Sequence, residues 1–231
     1  MNYDLIFSSQ NKGLKRNFLV QKLKRTIDLP VLPDILNNLD RMLSNPDVTV
    51  QQISELINAD PVIAGRVLNM ANSAYYCAGR KIVSNIDLAV SRLGFKVIRA
   101  LVYSAVLPDL FKEITELDHL QFWKHSMTVA LLSRYLIESE DGYKIEDADR
   151  AYLCGLMHDI GILVFYSILG DKYSELIQSN QEDGWGLHRI EEDEFVLNHA
   201  DVGSLFVDLH WEVDPKIVDV FIREVLVNLM L

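Results

Sequence analysis

Apolar residues recur along this chain at three- and four-residue intervals. Between residues 32 and 43, Ile35, Leu36, Leu39, Met42 and Leu43 share one helical face. Pro33 suits the first turn of that helix, and Asn45-Pro46 stops it. Thr49 with Gln52 reads as a capping box ahead of Ile53, Leu56 and Ile57. Asp60-Pro61 supplies a cap and an N1 proline for a helix whose inner face carries Ile63, Val67, Leu68 and Ala71. Ser84 and Asp87 precede a short helix closed by Gly94, and 95–107 forms another, ended by Pro108. The spacing then predicts a helix over 117–138 with a stripe of Phe122, His125, Val129, Leu132 and Leu136. Further helices are expected at 148–157, 162–169, 172–180, 191–197, 199–209 and 215–229. Asn198 and Asp214-Pro215 mark the starts of the last two, and 181–186 is a polar loop. No segment alternates as a strand does, and no repeat is evident. The pattern is all-α, with about ten or more helices.

The composition changes this picture mainly through charge. The 231 residues carry 22 basic and 33 acidic side chains, a net of −11. Residues 1–115 hold 14 basic and 10 acidic residues, a net of +4; residues 116–231 hold 8 and 23, a net of −15. The acidic total argues against general nucleic-acid binding, which needs a basic surface. A promoter-binding reading would rest on the +4 half alone and on helices 49–74 as a loose helix-turn-helix echo. No apolar run reaches the ~18–20 residues of a membrane helix, and the N-terminus lacks a signal-peptide pattern. Cys77 and Cys154 have no CxxC partner, so neither a disulfide framework nor a cysteine zinc site is expected. A reduced, cytoplasmic protein is the expectation.

Of the six histidines, His158 carries the most information, because Asp159 follows it. Imidazole and carboxylate are both good ligands for a divalent metal. Gly161 lets the chain turn and the next helix come close. His125 falls on an apolar stripe and could meet the pair from another helix, as in metal sites of helix bundles. His199 starts a helix and could reach the same pocket. The bland alternatives are a metal-free hydrogen-bonded network for the first three and a capping role for His199. His119, His188 and His210 read as surface residues, and Trp123, Trp185 and Trp211 as packing residues. Lys12, Lys15, Arg16, Lys22, Lys24 and Arg25 lie on an N-terminal helix with Leu14, Phe18, Leu23 and Ile27. They form either a solvated face or a contact for an acidic partner. Cys154 reads as a core residue.

Taken in order, several stretches resemble the HDOD family, a branch of the HD superfamily found in bacterial signalling proteins. They are 29–33 (LPVLP), Ala59-Asp60-Pro61, 68–74 (LNMANSA), 89–94 (AVSRLG), 122–126 (FWKHS), 155–161 (GLMHDIG) and 199–203 (HADVG). The resemblance spans about residues 28–220. It implies an N-terminal helical lobe packed on a C-terminal lobe similar to the HD phosphohydrolase core. HD enzymes hold divalent metal with a His, a His-Asp pair and a later Asp, and hydrolyse phosphoesters. His125 matches the first His, and His158 and Asp159 match the pair. His199 matches a further His of the cyclic-dinucleotide phosphodiesterase branch, a candidate fourth ligand. The match is incomplete: Ile162 stands where active enzymes carry Lys. The late His-His pair is replaced by 220–225 (VFIREV), and no clear final Asp follows before Leu231. That raises the expectation of a missing C-terminal piece.

The expected organisation is a basic extension at 1–27 and an HDOD domain at 28–231, divided into lobes 28–115 and 116–231. The expected function is a non-catalytic signalling module with a degenerate metal site. It would act through contacts with other signalling proteins, or a second copy of itself, without a membrane or nucleic acid. The alternative is a divalent-metal phosphohydrolase acting on a nucleotide or cyclic dinucleotide, for which 116–231 is electrostatically unhelpful because net negative charge repels phosphate.

Overall fold

The computed structural model describes residues 11–26, 29–77, 79–140, 145–179 and 186–211. Among them are twelve helices and no strand, in agreement with the all-α reading. The expected helix at 215–229, Trp185, Ile27 and the 220–225 stretch lie outside the described residues.

The chain packs as two compact units. One comprises residues 32–112 and 119–156. Its helices are α2 (Asp34–Leu43), α3 (Val50–Asn58), α4 (Pro61–Ala71), the short α5 (Ala74–Cys77), α6 (Ile86–Leu110), α7 (His119–Ser139) and α8 (Ile145–Met157), whose last residue enters the other unit. The expected caps are present. Thr49 and Gln52 form a reciprocal box, and the Asp60 carboxylate accepts from the N–H groups of Val62 and Ile63. Asn85, the residue after Ser84, caps α6 by accepting from the Leu88 N–H. Pro33 occupies the N-cap position of α2 instead of its first turn.

Helix α6 is the axis on which α2, α3 and α4 pack. It kinks at Gly94, whose φ of 79° favours a residue without Cβ. Pro108 does not end it, and the helix continues to Leu110. Ala100, Leu101, Val102, Tyr103, Ala105 and Leu107 are all nearly or fully buried, each large side chain gaining roughly 1.5–3 kcal/mol. Asp40 of α2 ties to this axis, accepting from Arg99 Nε (2.6 Å) and Nη2 (2.8 Å) and from the fully buried Tyr103 hydroxyl (2.7 Å).

Helix α7 departs from the expected stripe. Its buried residues are Trp123, Ser126, Ala130, Ser133, Arg134 and Ile137, whereas His125, Leu132 and Leu136 are exposed. At Ala130 the buried side is small because α8 lies very close. A Cβ on Gly155 would stand 2.8 Å from the Ala130 Cα. Arg134 at the C-terminal end of α7 pairs with Glu138 (2.8 Å) and Asp149 (3.3 Å).

The other unit comprises residues 1–31, 113–118 and 157–231. Its described helices are α1 (Lys12–Arg25), α9 (Ile160–Leu169), α10 (Asp171–Ser179), α11 (Leu187–Phe195) and α12 (His199–His210). Nearly every residue of α9 is buried, as expected of a helix apolar all round. Phe165 stacks on Tyr173 of α10 (4.9 Å) and packs against Phe195 of α11 (5.3 Å). Helix α1 is built into this unit. Leu19 and Leu23 are fully buried, and Lys15 donates to the Glu194 carbonyl (2.8 Å). Leu14, expected on the inner face, is half exposed. His210 is not a plain surface residue; its Nε2 meets the Leu23 carbonyl at 3.0 Å, and Trp211 donates to the Pro30 carbonyl.

One described stretch, Asp147–Leu169, has the length and composition to cross a membrane, although no single apolar run suggested it. Its most apolar window is 78 % buried inside the protein, as a core helix would be, and a turn at His158 and Asp159 divides it into α8 and α9.

Candidate functional site

The site grows from the turn between α8 and α9. Met157 is the last residue of α8, His158 and Asp159 form the turn, and Asp159 stands at the N-cap of α9 without a side-chain capping bond. Its carboxylate is thereby left for other partners. His158 Nε2 lies 3.1 Å from Asp159 Oδ2. Both side chains are only partly exposed, at 20 % and 16 %.

Gly161, one turn into α9, brings α12 against this turn. A Cβ there would fall 1.8 Å from the His199 carbonyl oxygen and 2.8 Å from the Gly203 nitrogen. The close approach expected of Gly161 is therefore real, with Gly203 as its counterpart. Asn198 and Asp201 cap α12 reciprocally, which fixes His199 as its first residue. The result sets His199 Nε2 3.6 Å from Asp159 Oδ1. Asp159 thus offers one oxygen to each of two imidazoles.

Behind His199 stands Glu191, the first of four consecutive acidic residues. Its side chain is fully buried. Oε2 accepts from the His199 backbone N–H (2.8 Å) and meets His199 Nδ1 at 2.6 Å. Oε1 accepts from the Tyr173 hydroxyl at 2.5 Å. Burial, then the Glu191 charge, pushes Tyr173 well above its ordinary pKa, so it remains an O–H donor. Burial tends to lower the His199 pKa. The hydrogen bond to Glu191 and the charges of Glu191, Asp159 and Asp201 outweigh it, and the net shift is upward. The α11–α12 connection passes through Val196 at φ 72°, rarely adopted by a β-branched residue.

A signal for Glu191 was present in the sequence. Helix α11 starts at Leu187, not 191, so Glu191 lies one turn before Phe195 on the buried side. Of the expected site residues, His158, Asp159 and His199 meet in this unit. His125 belongs to the other unit, on α7, and its side chain is exposed. His188 is exposed and His119 partly buried.

An all-helical chain that presents a His-Asp pair at a helix junction, with a further His alongside, has the features of the HD class. Residues 29–224 match the HDOD domain, and the chain belongs to that family, which is related to HD phosphohydrolases and signal-transduction proteins. A crystal structure of an HDOD domain protein from Geobacter sulfurreducens is similar, with 28 % identity and a TM-score of 0.75 over 89 % of this chain and 68 % of that one. A candidate phosphohydrolase from Shewanella amazonensis SB2B gives 29 % identity and a TM-score of 0.70, covering 88 % of this chain and 70 % of its own. An uncharacterised protein of Treponema pallidum (strain Nichols) is 26 % identical over 84 % of this chain. The chain spans 37 % of that relative's length.

Proposed function

We propose that this HDOD domain is a non-catalytic regulatory module that acts through contacts with other signalling proteins or a second copy of itself. It retains a degenerate site for a divalent metal at His158 and Asp159, with His199 of the same unit as a candidate further ligand. The functional unit is taken as the HDOD domain from residue 28 together with α1, which is built into the same unit as 157–211. A cytoplasmic location is part of the same proposal, in keeping with a chain of only two cysteines and no CxxC spacing.

The donor chemistry suits a metal. Two ligands of one ion at bond lengths of ~2.1 Å stand about 3.0 Å apart in octahedral and about 3.4 Å apart in tetrahedral geometry. The His158–Asp159 spacing of 3.1 Å and the Asp159–His199 spacing of 3.6 Å lie close to those values. A bound ion would supply Lewis acidity at this turn. The chain's own residues would orient it: Asp159 divides its oxygens between two imidazoles.

One observation carries the non-catalytic reading. The second carboxylate at this site, Glu191, is fully buried and turned to His199 and Tyr173 with both oxygens, rather than set at an open position for a second ion. Ile162 in place of the Lys of the enzymes points the same way. The rival reading, a metal-dependent phosphohydrolase, draws on the partial exposure of His158 and Asp159 and on the similarity to the Shewanella amazonensis SB2B protein.

Metal analysis of the purified protein, paired with phosphodiesterase assays of His158→Ala and Asp159→Asn, separates the two. The module reading expects no turnover in any form. Stoichiometric metal with turnover that both substitutions abolish sinks it.

A further inference from the structure

We infer that Glu191, backed by Tyr173, is the positioning residue of the metal site. It fixes the His199 ring with Nδ1–H on its own carboxylate and Nε2 presented toward Asp159. This rests on the metal reading proposed above.

The argument starts from burial. A fully buried carboxylate needs partners, and Glu191 has three donors within hydrogen-bond reach: the Tyr173 hydroxyl, the His199 amide and His199 Nδ1. Carboxylate oxygens only accept, so the ring proton sits on Nδ1. The amide bond and the ring bond end on the same oxygen, Oε2, which fixes the ring relative to its own backbone. Nε2 then faces Asp159 Oδ1 at 3.6 Å. That is too long for a direct hydrogen bond and close to the spacing of two ligands sharing an ion. A carboxylate that receives the far N–H of a histidine is the usual way a protein orients an imidazole ligand and makes it more basic.

The arrangement also explains an oddity. Glu191 begins the run Glu191, Glu192, Asp193, Glu194, of which only Glu191 is buried. A buried acid is costly unless it is hydrogen-bonded, and the donors that satisfy Glu191 are those of Tyr173 and His199. Tyr173 secures the carboxylate from the other side and is itself stacked on Phe165, so the support reaches into the core of the unit.

The test measures Mn²⁺ binding to the full chain by calorimetry, with ¹⁵N NMR of the histidine rings of the metal-free protein. The wild type is expected to show His199 protonated on Nδ1 and to bind Mn²⁺ in a manner sensitive to His158→Ala. Glu191→Gln keeps the shape but presents a weaker, neutral acceptor. It is expected to lower Mn²⁺ affinity about 10- to 100-fold and to alter the His199 ¹⁵N pattern. Tyr173→Phe keeps the carboxylate and is expected to cost a few-fold; it serves as the readout if Glu191→Gln does not fold. Unchanged affinity and an unchanged His199 pattern in folded Glu191→Gln overturn the inference. A wild type that takes up no Mn²⁺ overturns the metal reading and the metal half of this inference with it. The ¹⁵N pattern still decides whether Glu191 sets the ring.

Discussion

Replacing Gly161 by alanine puts a single methyl group at the tightest point of the site. The new Cβ would meet the His199 carbonyl oxygen at 1.8 Å, its carbon at 2.6 Å and the Gly203 nitrogen at 2.8 Å. Ordinary contact begins at 3.4 Å, so the His199 carbonyl must retreat by about 1.6 Å. All three obstacles are backbone, and none can rotate aside as a side-chain tip would. Overpacking of this kind costs typically 1–3 kcal/mol and sometimes more, and here the upper end is expected. Alanine in a helix returns about 0.8–1 kcal/mol of propensity over glycine. The net expectation is a loss of about 2 kcal/mol. For a chain of this size that is a fall of roughly 4–8 °C in Tm. Urea unfolding followed by circular dichroism measures it, with the slope of ΔG against urea unchanged from wild type. Gly65→Ala in α4 is the control. Nothing lies within 4 Å of its Cβ, so it should gain about 0.4–1 kcal/mol. If Gly161→Ala is as stable as wild type, or gains as Gly65→Ala does, the close packing of α9 on α12 is wrong. The placement of His199 beside Asp159 falls with it.

Burial pushes the Cys154 thiol up to about 12, whereas the Cys77 thiol lies on the partly exposed α5. A raised thiol pKa starves the reactive thiolate, to a fraction of about 10⁻⁴ at pH 8. Ellman's reagent at pH 8 should therefore titrate one thiol in the native protein and two in denaturant; two in the native state would contradict the burial. Asp40→Ala should cost about 2–4 kcal/mol, because it strands the Tyr103 hydroxyl and the Arg99 guanidinium together. Tyr103→Phe, which leaves the Arg99–Asp40 pair intact, should cost only about 1 kcal/mol by the same unfolding assay, and equal losses would refute the shared network. Leu23→Ala should lose about 2–5 kcal/mol if α1 is an integral part of its unit, and less than 1 kcal/mol if it is a loose basic extension.

The sequence was most readable where local chemistry decides the structure. The Thr49–Gln52 box, the Asp60-Pro61 start and the Asn198 cap each use side chains that bond within one turn, and all three are present. Gly161 was also readable, because only a close approach gives a glycine between apolar residues a purpose. What failed was set by distant packing. The stripe assigned to α7 followed the large residues, but at Gly155 the α8 backbone comes too close to Ala130 for bulk, and Leu132 and Leu136 lie outward. Glu191 was missed because its partners, Tyr173 and His199, lie 18 and 8 residues away, and its one local mark, the place one turn before Phe195, shows only once α11 is started at Leu187. His158 and Asp159 were legible as a pair. The bearing of His199 on them depends on the α9–α12 crossing, which spacing alone does not give.

Helix α1 has a further consequence in time. Its contacts reach across nearly the whole chain: Lys15 to Glu194 is 179 residues apart, Pro30 to Trp211 is 181, and Leu23 to His210 is 187. At about 5–20 residues per second, a ribosome needs roughly 10–40 s to make the partners of α1 after α1 itself has emerged. Throughout that interval Leu19 and Leu23 have no native surface to cover them. The basic side chains Lys12, Arg16, Lys22 and Lys24 that flank them keep a waiting helix in water. The charge on α1 is thus useful to the nascent chain before it is useful to the finished protein.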